Sequence, residues 1–362
     1  MQVGAFFQFS GYGREDREVW AAELALADLV EPLGFHSLWS LEHHFGRYAV
    51  NPDPLQFLSY MAGRTDHVSL GSGVIVLPWH DPVRVAEQIL VLDQMSGGRA
   101  LIGLGRGTGK IEYDGFRRDM ASSRGFYREA AQAMLTALET GVMEYDGEYF
   151  TQPRVELHPS PYESFRGRVY SASLSPESAQ IMARLGTGVF MIPLKTMEQH
   201  QTDIANYRAT YQEVIGLEPP PPIVVQMVYV DSDAERAAAV SRQAVTECML
   251  ATIEHYEFDK PHLGSTPGYE FHGRLYEQLN QPNGKQEFVD FNYTLTSCGT
   301  PDKVLENIQQ ICQMMGANHF VAQLRFGGMD PADAESSMRL FAKEVLPVLK
   351  TWQPVAAASV AA

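Results

Sequence analysis

The sequence predicts an α/β fold in which eight parallel strands alternate with helices and close into a barrel. Its 362 residues, 45% of them hydrophobic, are enough to bury a large core. Short apolar runs bounded by Gly, Pro, Ser or Asn recur along the chain, as expected of buried strands. Between most of them lies a longer segment with apolar residues at three- and four-residue spacing, which is typical of helices. An open doubly wound sheet has the same alternation, but eight repeats in one chain favour closure.

The eight predicted strands are short apolar runs, each followed by turn-forming residues or by a helical pattern. In chain order they are Val3–Phe9, Ser37–Leu41, Val68–Val76, Ala100–Leu104, Val169–Ser173, Val189–Ile192, Val224–Val230 and His319–Leu324.

The predicted helices follow the strands, and several have recognisable ends. Asp81 before Pro82, and Ser175 before Pro176, put an N-cap residue ahead of a proline at the first helical position. Gly97 supplies a residue that accepts the left-handed conformation at a helix end. In chain order the helices are Arg17–Leu33, Pro54–Ala62, Pro82–Met95, Arg124–Thr140, Pro176–Leu185, Thr196–Ile215, Asp233–Ile253, Asp302–Met315 and Ala332–Leu349.

Residues 257–298, which we name the lid segment, interrupt the alternation near the C-terminal third. They are rich in Gly, Pro, Asn and aromatic residues, and an insertion of this length is usually a lid or a binding loop. We expect residues 1–350 to form a single barrel domain with the lid segment as a mobile excursion. Residues 351–362 carry no charge and are predicted to be a disordered tail.

The charge balance narrows the possible partners. With 28 Lys and Arg against 44 Asp and Glu, the net charge of −16 disfavours nucleic acids and anionic membranes. No stretch reads as a signal peptide or a membrane span, so we expect a cytoplasmic protein. The three cysteines lack metal-binding spacing and are expected to be buried apolar side chains.

The glycine-rich run Gly103-Leu-Gly-Arg-Gly-Thr-Gly-Lys110 resembles a nucleotide loop but fails both tests for one. The dinucleotide fingerprint needs glycine where Thr108 stands, and a phosphate-binding P-loop needs Ser or Thr where Ile111 stands. The run then forms either a simple tight turn or a turn whose backbone lies close to a ligand. In the second case Arg106 could bind an anionic group of that ligand.

Glu42-His43-His44-Phe45 follows a predicted strand, at the mouth where barrel enzymes collect catalytic groups. Neighbouring side chains of extended backbone point to opposite faces, so His43 and His44 are badly placed to bind one metal ion. We expect no metal, and proton transfer or hydrogen bonding by one of the two histidines; purely structural histidines are the alternative.

Anion-binding groups occur at two further places. Arg124 stands at the start of a predicted helix, and the run from Ser171 to Ser178 stands before another. One phosphate group could use both, although simple N-capping also explains the serines. A hydrolase triad has little support, since no Gly-x-Ser-x-Gly motif occurs.

Several stretches resemble the bacterial luciferase-like flavin monooxygenases, and in particular the luciferase subunits, in the family's order and over nearly the whole chain. They are Glu42-His-His-Phe45, Gly71-Ser-Gly-Val-Ile-Val-Leu-Pro78, Asp81-Pro-Val-Arg84, Leu92-Asp-Gln-Met-Ser-Gly-Gly-Arg99, Gly103-Leu-Gly-Arg-Gly107, Ser123-Arg124, Gly268-Tyr-Glu-Phe271, Gly299-Thr-Pro301 and Ser337-Met-Arg-Leu-Phe341.

The resemblance implies a TIM-type barrel that binds reduced FMN at its C-terminal mouth and reacts it with O₂. The flavin 4a-hydroperoxide of this family oxygenates an organic substrate, and a mobile lid keeps water away from it. A separate NAD(P)H:flavin reductase supplies the reduced FMN, and a homodimer is implied. The expected substrate is a small or medium apolar molecule, oxygenated by Baeyer–Villiger insertion or hydroxylation.

The resemblance also assigns residues. It puts the active-site histidine on His43 and a non-proline cis peptide beneath the flavin ring on Gly73–Val74. The phosphate-binding arginines fall on Arg106 and Arg124, and the phosphate-binding hydroxyls on Ser175 and Ser178.

Two residues depart from the luciferase pattern. Gly105 stands where luciferase has a reactive cysteine, which excludes cysteine chemistry there and implies more room above the flavin ring. Leu174 replaces a carboxylate near the phosphate. We also expect Phe7, Phe9 and Pro193 to line the substrate pocket.

Two other functions remain open within this resemblance. One is a deazaflavin-dependent dehydrogenase with the same barrel, and the other is a catalytically silent flavin-binding partner subunit.

Overall fold

The computed structural model describes residues 1–172 and 176–354 of the chain. Its strands are β1 (Gln2–Phe7), β2 (Ser37–Ser40), β3 (Ser69–Ser72), β4 (Ile75–Val76), β5 (Ala100–Gly105), β6 (Val142–Asp146), β7 (Thr151–Glu156), β8 (Val169–Ala172), β9 (Gly188–Met191), β10 (Ile223–Val230), β11 (Ser297–Gly299) and β12 (His319–Gln323).

Eight of these strands close into the predicted parallel barrel. Strands β1, β2, β3, β5, β8, β9, β10 and β12 pair in that order, and β12 pairs back with β1. Gly4 of β1 lies opposite Ser37 on one side and Val321 on the other. The fold class predicted from the alternation is confirmed, and each predicted strand has its counterpart in the barrel.

The third predicted strand, Val68–Val76, is divided in two. Strand β3 ends at Ser72 and β4 begins at Ile75, and the peptide bond between Gly73 and Val74 that separates them is cis. Strand β4 then pairs with β5. The strand pattern did not separate the two strands, but the family resemblance placed the cis peptide at Gly73–Val74, where the structure has it.

The helices are α1 (Asp16–Ala27), α2 (Pro54–Ala62), α3 (Pro82–Ser96), α4 (Lys110–Phe116), α5 (Ser123–Thr140), α6 (Pro176–Leu185), α7 (Met197–Ile215), α8 (Ala234–Tyr256), α9 (His262–Ser265), α10 (Gly273–Leu279), α11 (Gly284–Thr294), α12 (Pro301–Met315), α13 (Pro331–Leu340) and α14 (Leu346–Thr351). A π-helical turn, Phe341–Val345, joins the last two.

Helix ends follow the predicted chemistry where they can be compared. Asp81 accepts hydrogen bonds from the backbone N–H groups of Val83 and Arg84, and Gly97 ends α3 with φ of 64°. Helix α1 stops at Ala27, short of the predicted Leu33. The proposed N-cap Ser175 lies outside the described residues.

Outside the lid segment, three described features have no counterpart among the predicted elements. Strands β6 and β7 form an antiparallel hairpin, β11 extends the sheet beside β10, and α4 follows the glycine-rich run. Helix α4 is too short for a periodic pattern to stand out.

Large side chains fill the centre of the barrel. Trp39 is fully buried among Phe6, Phe190 and Val321. A Cβ atom on Gly71 would lie 2.2 Å from the indole of Trp39, so the neighbouring strand has glycine where this ring needs room. A second, larger apolar layer packs the outer face of the barrel against the helices.

The lid segment is largely helical and contains α9, α10 and α11. Tyr269 within it is fully buried against the mouth of the barrel. At the other end of the chain, α14 reaches Thr351 and the carbonyl of Trp352 accepts a hydrogen bond from the amino group of Met1. The remainder of the predicted tail, residues 355–362, lies outside the described residues. Among the helices that are described, none combines the length and the apolar composition that crossing a bilayer requires.

Candidate active site

A cavity of about 230 Å³ opens at the mouth formed by the carboxyl ends of the barrel strands. Each barrel strand, or the segment directly after it, contributes to its wall, together with α8 and the lid segment. Five of the predicted site residues line it: His43, Gly73, Val74, Arg106 and Ser178. Barrel topology explains why, since parallel strands bring their carboxyl ends to one side.

The prediction for the first strand is wrong by one residue. Phe6 and Gln8 line the cavity, whereas Phe7 and Phe9 are buried in the outer layer, where both pack against Phe57. Alternate side chains of a strand face opposite sides, so a shift of one residue exchanges the cavity face for the helix face. Pro193 does line the cavity, as predicted.

Gly105 does not enlarge the pocket as expected. A Cβ atom there would lie 2.4 Å from a methyl carbon of Val74, so the side chain of Val74 already occupies that space. The glycine is needed for the close approach of β4 and β5 rather than for a larger ligand.

His43 is held by a carboxylate that the sequence did not reveal. Its Nδ1 atom lies 2.9 Å from Oε1 of Glu112, whose side chain is fully buried. Burial alone would raise the pKa of Glu112, but electrostatic attraction to His43, the hydrogen bond from His43 and the nearby His255 outweigh it and lower that pKa to about 2. Glu112 is therefore a carboxylate and accepts the Nδ1 proton of His43.

Two more groups contact the same carboxylate oxygen of Glu112. The backbone N–H of His44 donates to it at 2.8 Å. The Nε2 atom of His255 lies 3.3 Å away, but its direction is not that of a hydrogen bond. Burial lowers the pKa of His255, which favours its neutral form.

His44 belongs to a separate cluster, as the alternation argument predicts. Its Nε2 atom lies 2.9 Å from Oε1 of Glu42, and Nε2 of His80 lies 2.5 Å from the same oxygen. Burial alone would raise the pKa of Glu42, but hydrogen bonds from His44 and His80 lower it. The cluster links the loop after β2 to His80, in the turn after β4. The N–H group of Val76, in β4 itself, also donates to Glu42.

Each of the two clusters brings three possible metal ligands together. The sets are Glu42, His44 and His80, and His43, Glu112 and His255, with ligand atoms within 4.8 Å of one another in each. Hydrogen bonds among the side chains account for the first set without an ion. In the second set His43 is paired with Glu112, whereas Nε2 of His255 and Oε2 of Glu112 have no hydrogen-bond partner among the described atoms. The absence of a metal remains a prediction.

Arg106 and Arg124 converge on one oxygen atom of the lid segment. Each donates from Nη2 to the carbonyl of Gly268, at 2.8 and 2.9 Å respectively. The guanidinium of Arg106 also lies over the ring of Tyr269, 3.9 Å from its centre. Tyr269 is anchored in turn by hydrogen bonds to Ser123 and to the carbonyl of Gly107.

Both arginines keep a buried donor without a partner. Nη1 of Arg106 and Nε of Arg124 have no hydrogen-bond partner among the described atoms. Burial lowers the pKa of Arg106, which shows the cost of holding this charge away from water. Two unpaired N–H groups on neighbouring cations are what an anion with several oxygens would satisfy, so these residues fit a phosphate. Arg106 and Ser178 line the cavity, whereas Arg124 lines a second pocket that shares Gly268 with it. Ser175 lies outside the described residues.

The sequence reasoning missed Glu112, His255, Tyr256 and the carbonyl of Gly268. Glu112 stands two residues after the glycine-rich run, and His255 and Tyr256 stand at the end of α8, just before the lid segment. Proximity to those two features was the available signal, but no periodic pattern marks these residues.

The chain matches a known protein family over most of its length. The model of the family described as luciferase-like monooxygenase matches residues 1–319, most of the chain. The chain belongs to this family. The predicted membership, and with it a luciferase-like oxidoreductase, is confirmed.

The relatives of this luciferase-like chain include proteins that are named as monooxygenases or their components. The alkanal monooxygenase alpha chain of Photorhabdus luminescens is 26% identical over 343 residues, which cover 93% of each chain. The oxygenase component of a flavin-dependent trigonelline monooxygenase from Acinetobacter baylyi is 25% identical over 62% of this chain and 63% of its own.

Solved structures have the same barrel. Monooxygenase RslO1 from Streptomyces bottropensis matches with a TM-score of 0.82 and 25% identity, over 96% of this chain and 99% of that one. A second match is the oxygenating constituent of 3,6-diketocamphane monooxygenase from Pseudomonas putida, a type II Baeyer–Villiger monooxygenase, in complex with FMN. It has a TM-score of 0.73 and 20% identity and covers 98% of this chain and 99% of its own. A coenzyme F420-dependent reductase from Methanopyrus kandleri has a TM-score of 0.68 and 18% identity over 96% and 100%.

Proposed function

We propose that this luciferase-like protein is the oxygenase component of a two-component monooxygenase. It takes reduced FMN from a separate NAD(P)H:flavin reductase and uses O₂ to oxygenate a small or medium apolar organic molecule. The observation that carries the proposal is a pair of arginines with unpaired buried donors, Arg106 and Arg124, which share the carbonyl of Gly268. Arg106 lines the same cavity as His43, which is paired with the carboxylate of Glu112. Two relatives support it by their names, being oxygenating components of flavin-dependent monooxygenases.

Arg106, Arg124 and Ser178 would hold the phosphate of FMN, with Ser175 as a further hydroxyl donor. The remaining cavity extends past Gly73 and Val74 to His43, so these residues would border the flavin ring. Reduced FMN, when bound, supplies the electrons with which O₂ is activated.

His43 is the group that moves a proton in this proposal. Its Nδ1 proton is held by Glu112, which leaves Nε2 as the atom that accepts or donates on the cavity side. Acceptance by Nε2 would favour attack on a carbonyl carbon, as in a Baeyer–Villiger reaction. Donation from Nε2 would favour hydroxylation.

The walls of the cavity suit a mostly apolar substrate. Aromatic and aliphatic side chains dominate, among them Phe6, Phe190, Val225 and Met249. The amides that face the cavity already pair with other groups, since Gln323 donates to Gln8 at 2.6 Å. A substrate with many polar groups would therefore find few partners.

The lid segment would exclude water from this cavity, because Phe258 and His272 belong to the wall. We also expect a homodimer in the cytoplasm, on the family resemblance and on the absence of a targeting pattern respectively.

The test is a pair of anaerobic titrations, with reduced FMN and with reduced F420, followed by mixing with aerated buffer. The proposal expects tight binding of FMN, O₂ uptake and oxygenated product from a panel of cyclic ketones, aldehydes and phenols.

In His43→Ala we expect less product and more H₂O₂ from the same O₂ uptake. Turnover without O₂ on F420 would replace this proposal with the dehydrogenase that the F420-dependent fold relative suggests. Equal behaviour of wild type and His43→Ala would instead indicate a silent flavin-binding subunit.

A further inference from the structure

The hydroxyl of Tyr256 contacts His43 in the wall of the cavity that both residues line. Its oxygen is 3.1 Å from Nε2 of His43, the ring nitrogen that does not contact Glu112. The side chain of Tyr256 is also part of the cavity wall. Both ring nitrogens of His43 are thus engaged, one by a carboxylate and one by a phenol.

The chemistry of the two partners determines how the protons are arranged. Glu112 is ionised and can only accept, so Nδ1 of His43 carries a proton. Burial, together with the nearby Tyr48 and Glu112, raises the pKa of Tyr256 well above its ordinary value, so its hydroxyl keeps its proton. A neutral His43 then accepts a hydrogen bond at Nε2 from the hydroxyl of Tyr256. When His43 is protonated, the same phenol oxygen accepts from Nε2–H, because a hydroxyl can donate or accept.

The position of the Tyr256 ring is fixed from the lid side. Tyr256 is the last residue of α8, and its ring stacks on Phe258 with centroids 5.1 Å apart and planes 15° apart. Phe258 stacks in turn on His272 at 5.7 Å. The hydroxyl is therefore held against His43 by packed aromatic rings rather than by a mobile chain.

We propose that Tyr256 is a positioning residue that also relays protons between His43 and an oxygen atom of the bound ligand. The ligand oxygen takes the Tyr256 proton, and the phenol oxygen takes the Nε2 proton of the His43 imidazolium. One O–H bond breaks and one forms at Tyr256, so it ends neutral, and one proton has passed from His43 to the ligand. The reverse sequence delivers a ligand proton to His43, whose charge Glu112 stabilises. The relay rests on the proposed function only for the identity of the ligand.

The first measurement needs neither flavin nor turnover. In protein labelled with ¹⁵N-histidine, the Nε2 resonance of His43, assigned by its loss in His43→Gln, should move toward the position of a nitrogen without a hydrogen bond in Tyr256→Phe. Tyr207→Phe is the matched control, because it removes a buried hydroxyl that donates to the carbonyl of Thr187 at 2.6 Å, away from the cavity. It should leave the His43 resonance unchanged. Phenylalanine retains the stacked ring, and the melting temperature checks that Tyr256→Phe is folded.

The second measurement is the rate of product formation at saturating substrate. Removal of a proton-transfer group costs about 10²-fold or more, so Tyr256→Phe should lower kcat by about 100-fold with KM little changed. Tyr207→Phe should keep the wild-type rate. An unmoved Nε2 resonance, or a wild-type kcat in Tyr256→Phe, overturns the relay. If no variant and no wild-type sample oxygenates anything, the proposed function fails, while the resonance still decides the role of Tyr256.

Discussion

At the residue scale, the site depends on a buried charge that pairs with several donors. One carboxylate oxygen of Glu112 accepts hydrogen bonds from Nδ1–H of His43 and from the backbone N–H of His44. An ionised carboxylate in this position holds the proton of His43 on the side away from the cavity. The orientation and the protonation of the predicted active-site histidine therefore depend on a residue outside every motif that the sequence presents.

The low pKa of Glu112 makes a prediction for acid unfolding. Its pKa is about 2 in the folded chain and near the ordinary 4.5 when unfolded, so its ionisation stabilises the fold above pH 4.5. That contribution is lost as the pH falls from about 4.5 to about 2. Glu112→Gln lacks this titration, so the difference in unfolding free energy between wild type and variant should shrink over that range. Denaturant unfolding at several pH values measures it.

A surface control shows whether the effect belongs to Glu112. Glu156→Gln changes an exposed carboxylate and should follow the wild-type curve. A difference between wild type and Glu112→Gln that stays constant from pH 5 to about 2 would contradict the assignment of a depressed pKa.

At the element scale, the lid segment accepts hydrogen bonds from the two arginines that we propose for phosphate binding. The carbonyl of Gly268 accepts one from each arginine, and one buried donor atom on each has no partner among the described atoms. Gly268 has φ of 83°, and a Cβ atom there would lie 2.8 Å from Nη1 of Arg106. The backbone of the lid segment thus approaches the arginines at a position where a side chain would obstruct Nη1 of Arg106, the donor atom without a partner.

We expect Gly268→Ala to weaken FMN binding by about tenfold or more, the size of a lost charge-assisted hydrogen bond. Binding of riboflavin, which has no phosphate, should change much less. Gly167→Ala is the control, since Gly167 has a similar φ of 77° and open space around its Cβ position. Fluorescence titration with both flavins gives the affinities. Equal losses for FMN and riboflavin would show that the substitution acts elsewhere than on the phosphate.

Elements with clear periodicity were predictable, and irregular ones were not. The helix Pro54–Ala62 has the predicted bounds, because Asp53 caps it before Pro54 and apolar residues follow at helical spacing. The strand pattern missed the break between β3 and β4, although the family resemblance placed the cis peptide there, and the short α4 had no predicted counterpart. Their conformations depend on neighbours such as Trp39, Val74 and Glu112 rather than on their own pattern.

At the scale of the whole molecule, a buried ion pair ties the last barrel strand to the first helix. Arg325, just after β12, donates to Glu23 of α1 at 2.8 Å, and both side chains are 1% exposed. Burial raises the pKa of Glu23, although the charge of Arg325 opposes this. The pair joins the two ends of the chain where the barrel closes.

Removing one partner leaves the other charge buried and unpaired, so Arg325→Met should lower the unfolding free energy by about 3–5 kcal/mol. The double variant Glu23→Leu/Arg325→Met should recover most of this loss, because no charge remains in the interior. Urea unfolding of the four proteins forms the cycle. A double variant as unstable as Arg325→Met alone would mean that packing, not charge, explains the loss.

The sequence by itself determined the barrel, the family and the side of the barrel on which the site lies. Alternating strand and helix patterns require parallel strands, and parallel strands bring the residues after them, such as His43 and Arg106, to one mouth. Tertiary structure alone decided which groups meet these residues. Glu112 lies 69 residues and Tyr256 lies 213 residues from His43 along the chain, and side-chain packing rather than local spacing brings them within hydrogen-bonding distance. A periodic pattern indicates which face of a helix or strand is buried, but it does not indicate which residues of two different elements contact each other.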